Sequence, residues 1–213
     1  MSQPRHHPSS ELILDHARGA LDAGRALVLD AHIRACPACA ADVRAAEAVG
    51  GALLNELPPA EMAADALERV LARIERPAPK ARALRQPPDW IKVSPDVLAA
   101  AARRRRWAAP GVWVATVTQD RRTGAPSYLL GVGANIAVPL HSHRGQELIC
   151  VLKGAYEDRG AIHSIGDFAE NDDEVEHKPR STFDGECVCL IAADAALVPR
   201  SWMARLLQPV VGI

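Results

Sequence analysis

Apolar residues recur at three- and four-residue spacing through the first third of the chain, then give way to short runs of strand type. Leu12, Ile13, Ala17, Ala20 and Leu21 form the first helical stripe, with Ser9 or Ser10 as its cap and Gly24 just past its end. A second helix is predicted from about Arg25 through Leu27, Val28, His32 and Ala35. Pro37 suits the first position of a third, which puts Cys36 at the N-cap and Cys39 in the first turn. That helix runs to about Glu56, and Pro58-Pro59 stops it. A fourth carries Met62, Ala66, Leu67, Val70, Leu71 and Ile74 on one stripe. Spacing alone leaves open whether this stripe fills a core or meets a partner.

The periodicity stops in a stretch rich in Pro and Arg, from about Pro77 to Pro88, which reads as a linker. Beyond it lie β-type runs at Val112 to Thr118, Tyr128 to Val132, Glu147 to Leu152 and Glu186 to Ile191. Gly, Asp and Pro clusters separate them, as in a sandwich or barrel. Only 4% of the 213 residues are aromatic, so Val, Leu, Ile and Ala must fill its interior.

Composition narrows the function classes. An apolar fraction of 48% suits a folded chain of one large or two small domains. A net charge of −1 gives no argument for nucleic-acid binding, and the Arg103 to Arg106 run reads as a solvated face or a site for an acidic protein partner. The polar N-terminus lacks the apolar stretch of a secretory signal, and no window has the length of a membrane span. Five cysteines, an odd number, fit a reducing compartment, so a cytoplasmic location is expected.

Two clusters carry candidate chemistry. His32, Cys36 and Cys39 form an H-x3-C-x2-C pattern with His7 available upstream, the two-Cys, two-His donor set of a structural Zn²⁺. A helix start favours thiolate over thiol at such cysteines. The second cluster is His141, His143, Glu147 and His177. His141 and His143 alternate on an expected strand and share a face, so three imidazoles and a carboxylate can hold Zn²⁺ or another divalent metal. Cys187 and Cys189 also share a strand face and are candidate redox groups, although an i, i+2 pair is badly placed for an unstrained disulfide. Cys150 is assigned to the core. His16 and His163 are read as isolated residues, on the surface or satisfied in the core.

At this point a family resemblance becomes specific. The pattern His141-x-His143-x3-Glu147-x6-Gly154 resembles the first cupin motif, and Gly166 with His177 is similar to the second. The chain departs from that pattern where Asn135 replaces an early glycine and where Asp172, Glu174 and Ser181 replace the second motif's Pro, Gly and Asn. The N-terminal cluster is similar to a zinc-binding anti-sigma signature. The order of the modules, the Cys187-Val188-Cys189-Leu190 segment and the Leu207 to Pro209 tail together resemble ChrR-type anti-sigma factors. The resemblance implies an α + β two-domain chain. Its parts are a zinc-stabilised helical anti-sigma domain (1–76), a linker (77–90) and an antiparallel β-barrel cupin sensor (91–213). It places the fourth zinc ligand at His7 rather than His6. It also implies a non-enzymatic protein that inhibits a group IV (ECF) RNA polymerase sigma factor and releases it on oxidative stress of the singlet-oxygen type. The helix-four stripe (Leu67, Val70, Leu71, Ile74) then becomes a candidate sigma-binding surface, with no direct nucleic-acid or membrane contact. The alternative is a metal-dependent oxygenase-type cupin enzyme with an accessory zinc module.

Overall fold

The computed structural model describes residues 3–75, 95–120, 123–195 and 198–199. The predicted linker (77–90) and the Leu207 to Pro209 tail lie outside them.

Helix α1 (Ser10–Ala17) starts where the Ser9 hydroxyl accepts the Leu12 N–H at 3.3 Å. It ends earlier than the apolar stripe suggests. Gly19, at φ +70°, takes the left-handed position, its N–H donating to His16 O and that of Ala20 to Asp15 O. Ala20 and Leu21 therefore belong to the connection, and Gly24 lies inside the next helix rather than past the first. Helix α2 (Ala23–Ala35) is capped by Asp22, whose carboxylate accepts the N–H groups of Gly24 and Arg25. Helix α3 (Pro37–Asn55) has Cys36 as its N-cap and Pro37 at its start. Helix α4 (Ala66–Ile74) begins after Met62, which is thus not part of it. A short helix α5 (Pro95–Ala102) follows.

The remainder is antiparallel sheet. Strands β1 (Arg106–Ala109), β2 (Val112–Gln119), β3 (Pro126–Val132), β5 (Glu147–Lys153), β8 (Phe168–Asn171) and β11 (Cys187–Ala193) form a six-stranded sheet in the order β1-β2-β3-β11-β5-β8. Strands β6 (Ala155–Asp158), β7 (Ala161–Ser164) and β10 (Arg180–Ser181) form a second sheet. Strands β4 (His141–Ser142), β9 (Glu176–His177) and β12 (Val198–Pro199) form a third.

Strand alternation sorts the large sheet into two apolar faces. Ile149, Val151, Cys187, Cys189 and Ile191 point to the inner side with Tyr128 and Tyr156. Leu148, Cys150, Val188 and Leu190 point to the other side, where they meet Leu12, Val28 and Leu29 of α1 and α2 and Leu98 of α5. The helical segment and the sheet thus bury one continuous core. Helix α3 shares little of it. Its own small core is Ile13, Cys36, Cys39 and Val43. No residue of α4 is buried.

Two of the motif positions explain themselves in backbone terms. Asn135 holds φ +56°, so it adopts the left-handed conformation for which the cupin pattern uses glycine. Ser181 braces that loop, accepting the Ile136 N–H at 3.0 Å and donating to Gly133 O. Gly154 stays glycine for two reasons: its φ is +68°, and a Cβ there would stand 2.5 Å from Glu186 O.

Candidate metal centres

The first centre is assembled from an extended N-terminal segment, the end of α2 and the start of α3. Nδ1 of His7 lies 3.4 Å from both Cys36 Sγ and Cys39 Sγ, and His32 Nε2 lies 3.3 Å from Cys39 Sγ. Donor atoms of His7, His32, Cys36 and Cys39 all fall within 4.8 Å of one another. His6 points elsewhere, its ring 4.2 Å from that of His163.

The tautomer at His32 follows from its neighbour. The carbonyl of Gly166, 2.7 Å from His32 Nδ1, can only accept, so Nδ1 carries the proton. The Nε2 lone pair is then free to face the sulfurs. Burial lowers the His32 pKa and keeps the ring neutral. Burial, reinforced by the hydrogen bond from Cys36, pushes the Cys39 thiol up to about 12. With no cation nearby the Cys39 thiol stays protonated. A cation at the focus of these four donors favours the thiolate form of the cysteines, so the set fits Zn²⁺.

The second centre sits between the sheets. His141 and His177 pair directly across β4 and β9, and His143 follows β4. Nε2 of His177 is 3.0 Å from Nε2 of His141 and 3.0 Å from Nε2 of His143. All three rings are buried. His141 Nδ1 faces Pro139 O at 2.8 Å and His177 Nδ1 faces the Asp158 carboxylate at 2.9 Å. Both acceptors place the ring proton on Nδ1, so the Nε2 lone pairs converge and repel unless a cation lies between them. Burial and the neighbouring rings of His141 and His177 lower His143 to about 4. This donor set fits a divalent metal.

Glu147 lies beside the three rings, with Oε2 3.2 Å from His143 Nε2 and accepting from Asn171 Nδ2 at 3.2 Å. Burial raises its carboxyl to about 7. Asp158 and Asn171 are the partners that spacing did not reveal. Arg159 joins them, donating from Nε to Asp158 at 3.2 Å and from Nη2 to Asn171 at 3.0 Å.

Cys187 and Cys189 lie on the inner face of β11 with sulfurs 3.8 Å apart. They line a cavity of about 40 Å³ together with Leu130, Ile149, Tyr156 and Ile191. The Cys187 contact and burial hold Cys189 well above the ordinary thiol range, so it is a thiol and not a ready nucleophile. Cys150 is buried on the opposite face. His163 is not isolated as read from sequence. It stacks on Tyr156 at 4.8 Å and 11° and meets the tilted ring of His6 at 4.2 Å. His16 pairs with Asp30 at 3.3 Å.

The candidate partner surface is exposed. Leu67, Val70, Leu71 and Ile74 of α4 keep 49–72% of their surface in water. Val49, Leu53 and Leu54 of α3 and Leu57 just beyond it are also exposed. No helix among the described residues is long and apolar enough to cross a membrane.

Comparison with known proteins gives these centres a context. Residues 96–196 match the ChrR cupin-like domain family, and residues 9–40 match a zinc-finger family. The chain is 35% identical over 209 residues to the anti-sigma-E factor ChrR of Cereibacter sphaeroides, covering 96% of this chain and 97% of that protein. It is also similar to the ChrR chain in the crystal structure of Rhodobacter sphaeroides SigE in complex with the anti-sigma ChrR. There the TM-score is 0.76 and the identity 31%, over 89% of this chain and 99% of that chain. Those relatives are regulators, which stands against the oxygenase alternative. With its zinc-finger-type helical segment, its cupin-like sheets and identity along nearly its whole length, the chain belongs to the ChrR-type anti-sigma factors.

Proposed function

We propose that this chain sequesters a group IV (ECF) RNA polymerase sigma factor in the cytoplasm and releases it under oxidative stress of the singlet-oxygen type. The observation that carries the reading is the unburied apolar stripe of α4, together with the exposed apolar side chains at the end of α3. A folded chain leaving so many large apolar side chains in water has a partner for them. Leu67, Val70, Leu71 and Ile74 follow the i, i+3, i+4, i+7 pattern of helix-in-groove recognition. The family relative crystallised with its sigma factor supports the choice of partner.

In this reading His7, His32, Cys36 and Cys39 hold Zn²⁺, and His141, His143, His177 and Glu147 hold Zn²⁺ or another divalent metal. Zinc, when bound to the first set, keeps both sulfurs as thiolates and supplies cohesion rather than redox chemistry. The chain's own residues do the rest. Gly166 O fixes the His32 ring, Pro37 and the Cys36 cap set the direction of α3, and α3 and α4 carry the apolar surface. Oxidant sensing belongs to the cupin half, with the histidine cluster and the Cys187–Cys189 pair as candidates.

Co-expression with the cognate ECF sigma factor tests this reading, with stable co-purification and inhibited transcription as the expected result. Failure to co-purify would overturn it. Leu71→Asp is expected to weaken capture by about tenfold or more, the scale of a central interface residue, while zinc content stays at the parental level. Undiminished capture would remove α4 from the interface. Replacing His141, His143 and His177 together by Ala is expected to leave capture intact and abolish release on oxidant exposure. Release at the parental rate would place the sensor elsewhere.

A further inference from the structure

The two centres are physically joined, and the joint is the turn between β7 and β8. At one end of the β6–β7 hairpin, next to the Arg159-Gly160 turn, Asp158 holds His177 of the second centre. At the other end Ser164 donates its N–H at 2.7 Å and its hydroxyl at 3.1 Å to Asp167 Oδ2. The second oxygen of Asp167 accepts the N–H groups of Arg5 at 2.6 Å and His6 at 3.1 Å. The residue is 1% exposed, and backbone amides from both halves of the chain satisfy its two oxygens. On either side of it, Gly166 O fixes His32 Nδ1 and the Phe168 N–H donates to His6 O at 3.1 Å. The Phe168 ring meets the His32 ring edge-on at 5.6 Å. Strand β8 then runs on to Asn171, which contacts Glu147.

One short turn therefore sets the orientation of ligand His32 and pins the segment that carries ligand His7, while both strands leaving it end beside the second centre. Outer partners of this kind fix the tautomer and angle of a metal-bound imidazole. We propose that Ser164–Phe168 couples the two centres, with Asp167 as the positioning residue. The geometry of the first centre depends on the cupin half through this turn, and a disturbance at the histidine cluster reaches the thiolate cluster along β6–β7 and β8. The inference rests on the metal reading of both centres, and the metal content of the unaltered protein tests that reading separately.

Co²⁺ alone is the probe, in the full-length chain, because its thiolate charge-transfer band reports Cys36 and Cys39 and not the second centre, whose donor set has no thiolate. Asp167→Asn keeps the shape of the side chain and removes one of its two accepting oxygens. It is expected to weaken Co²⁺ at the thiolate site by about 10–100-fold and to shift its ligand-field bands, with the histidine cluster still loading. An unchanged band and affinity would overturn the proposal. His177→Ala is expected to weaken the thiolate site at least several-fold by itself, and to add nothing in the double variant with Asp167→Asn. Independent, additive effects would overturn it as well. Should Asp167→Asn fail to fold, the unaltered protein carries the test through amide hydrogen exchange. Loading the histidine cluster is expected to slow exchange at Arg5, His6 and Phe168, and no change there would overturn the coupling.

Discussion

Replacing Cys39 by Ser is expected to remove the zinc of the first centre and, with it, the capture of the sigma factor. Serine cannot supply the thiolate that two imidazoles and Cys36 need to complete a tetrahedron. The consequence is large because little else holds α3. Its private core is Ile13, Cys36, Cys39 and Val43, in which burial of the two aliphatic side chains contributes about 1.5–3 kcal/mol each. Structural zinc sites contribute about 10–16 kcal/mol in finger peptides, so the metal outweighs the apolar contacts here. Helix α2 stays fixed because Val28 and Leu29 sit in the sheet core. The expected picture is selective: α3 and α4 loosen, α2 and the cupin sheets persist. Zinc per chain, sigma pull-down and limited proteolysis within Pro37–Asn55 measure the three parts. Full sigma capture by a Cys39→Ser chain that had lost this zinc would refute the structural role of the metal.

Leu29→Ala is expected to be strongly destabilising although Leu29 is not itself a metal ligand. Leu29 is fully buried where α2 meets the sheet, in the cluster that holds Trp113, Leu129, Leu148, Phe168 and Leu190. A leucine truncated at such a position costs about 2–5 kcal/mol, transfer and cavity together. For a chain of this length that corresponds to a fall in Tm of roughly 5–20 °C. The same shared core predicts that helix and sheet signals of the parent protein melt together in circular dichroism, and that Leu29→Ala moves both. Two separate transitions in the parent would mean that the helices and sheet are energetically independent.

The parts that the sequence made legible are those written in local spacing. His32, Cys36 and Cys39 span eight residues across a helix break, and the Cys36 cap with Pro37 at the helix start appears where expected. The His141 and His143 alternation and the four main strand runs were equally local. Other features depend on distant partners and left no local trace. Asp167 acquires its meaning from Arg5 and His6, more than 160 positions away. Asp158 falls between the two cupin motifs and Asn171 at an unspecified position of the second, so both are recognisable only through His177 and Glu147. The early end of α1 escapes the apolar pattern for a different reason. Ala20 and Leu21 continue the apolar stripe, but the Gly19 turn stops the helix before it reaches them. The core shared by the N-terminal helices and the sheet left no local trace either, because the pairing of Val28 and Leu29 with the sheet's second apolar face is made only in the fold.

The exposed apolar side chains of α3 and α4 also govern the fate of a copy without its partner. Val49, Leu53, Leu54, Leu67 and Ile74 stay wet until something covers them, which favours self-association at high concentration and attracts proteases and chaperones. An unaccompanied chain is therefore expected to be shorter-lived than a complexed one. Its abundance then follows that of its partner, and a cell that makes the two polypeptides from one message keeps this liability small.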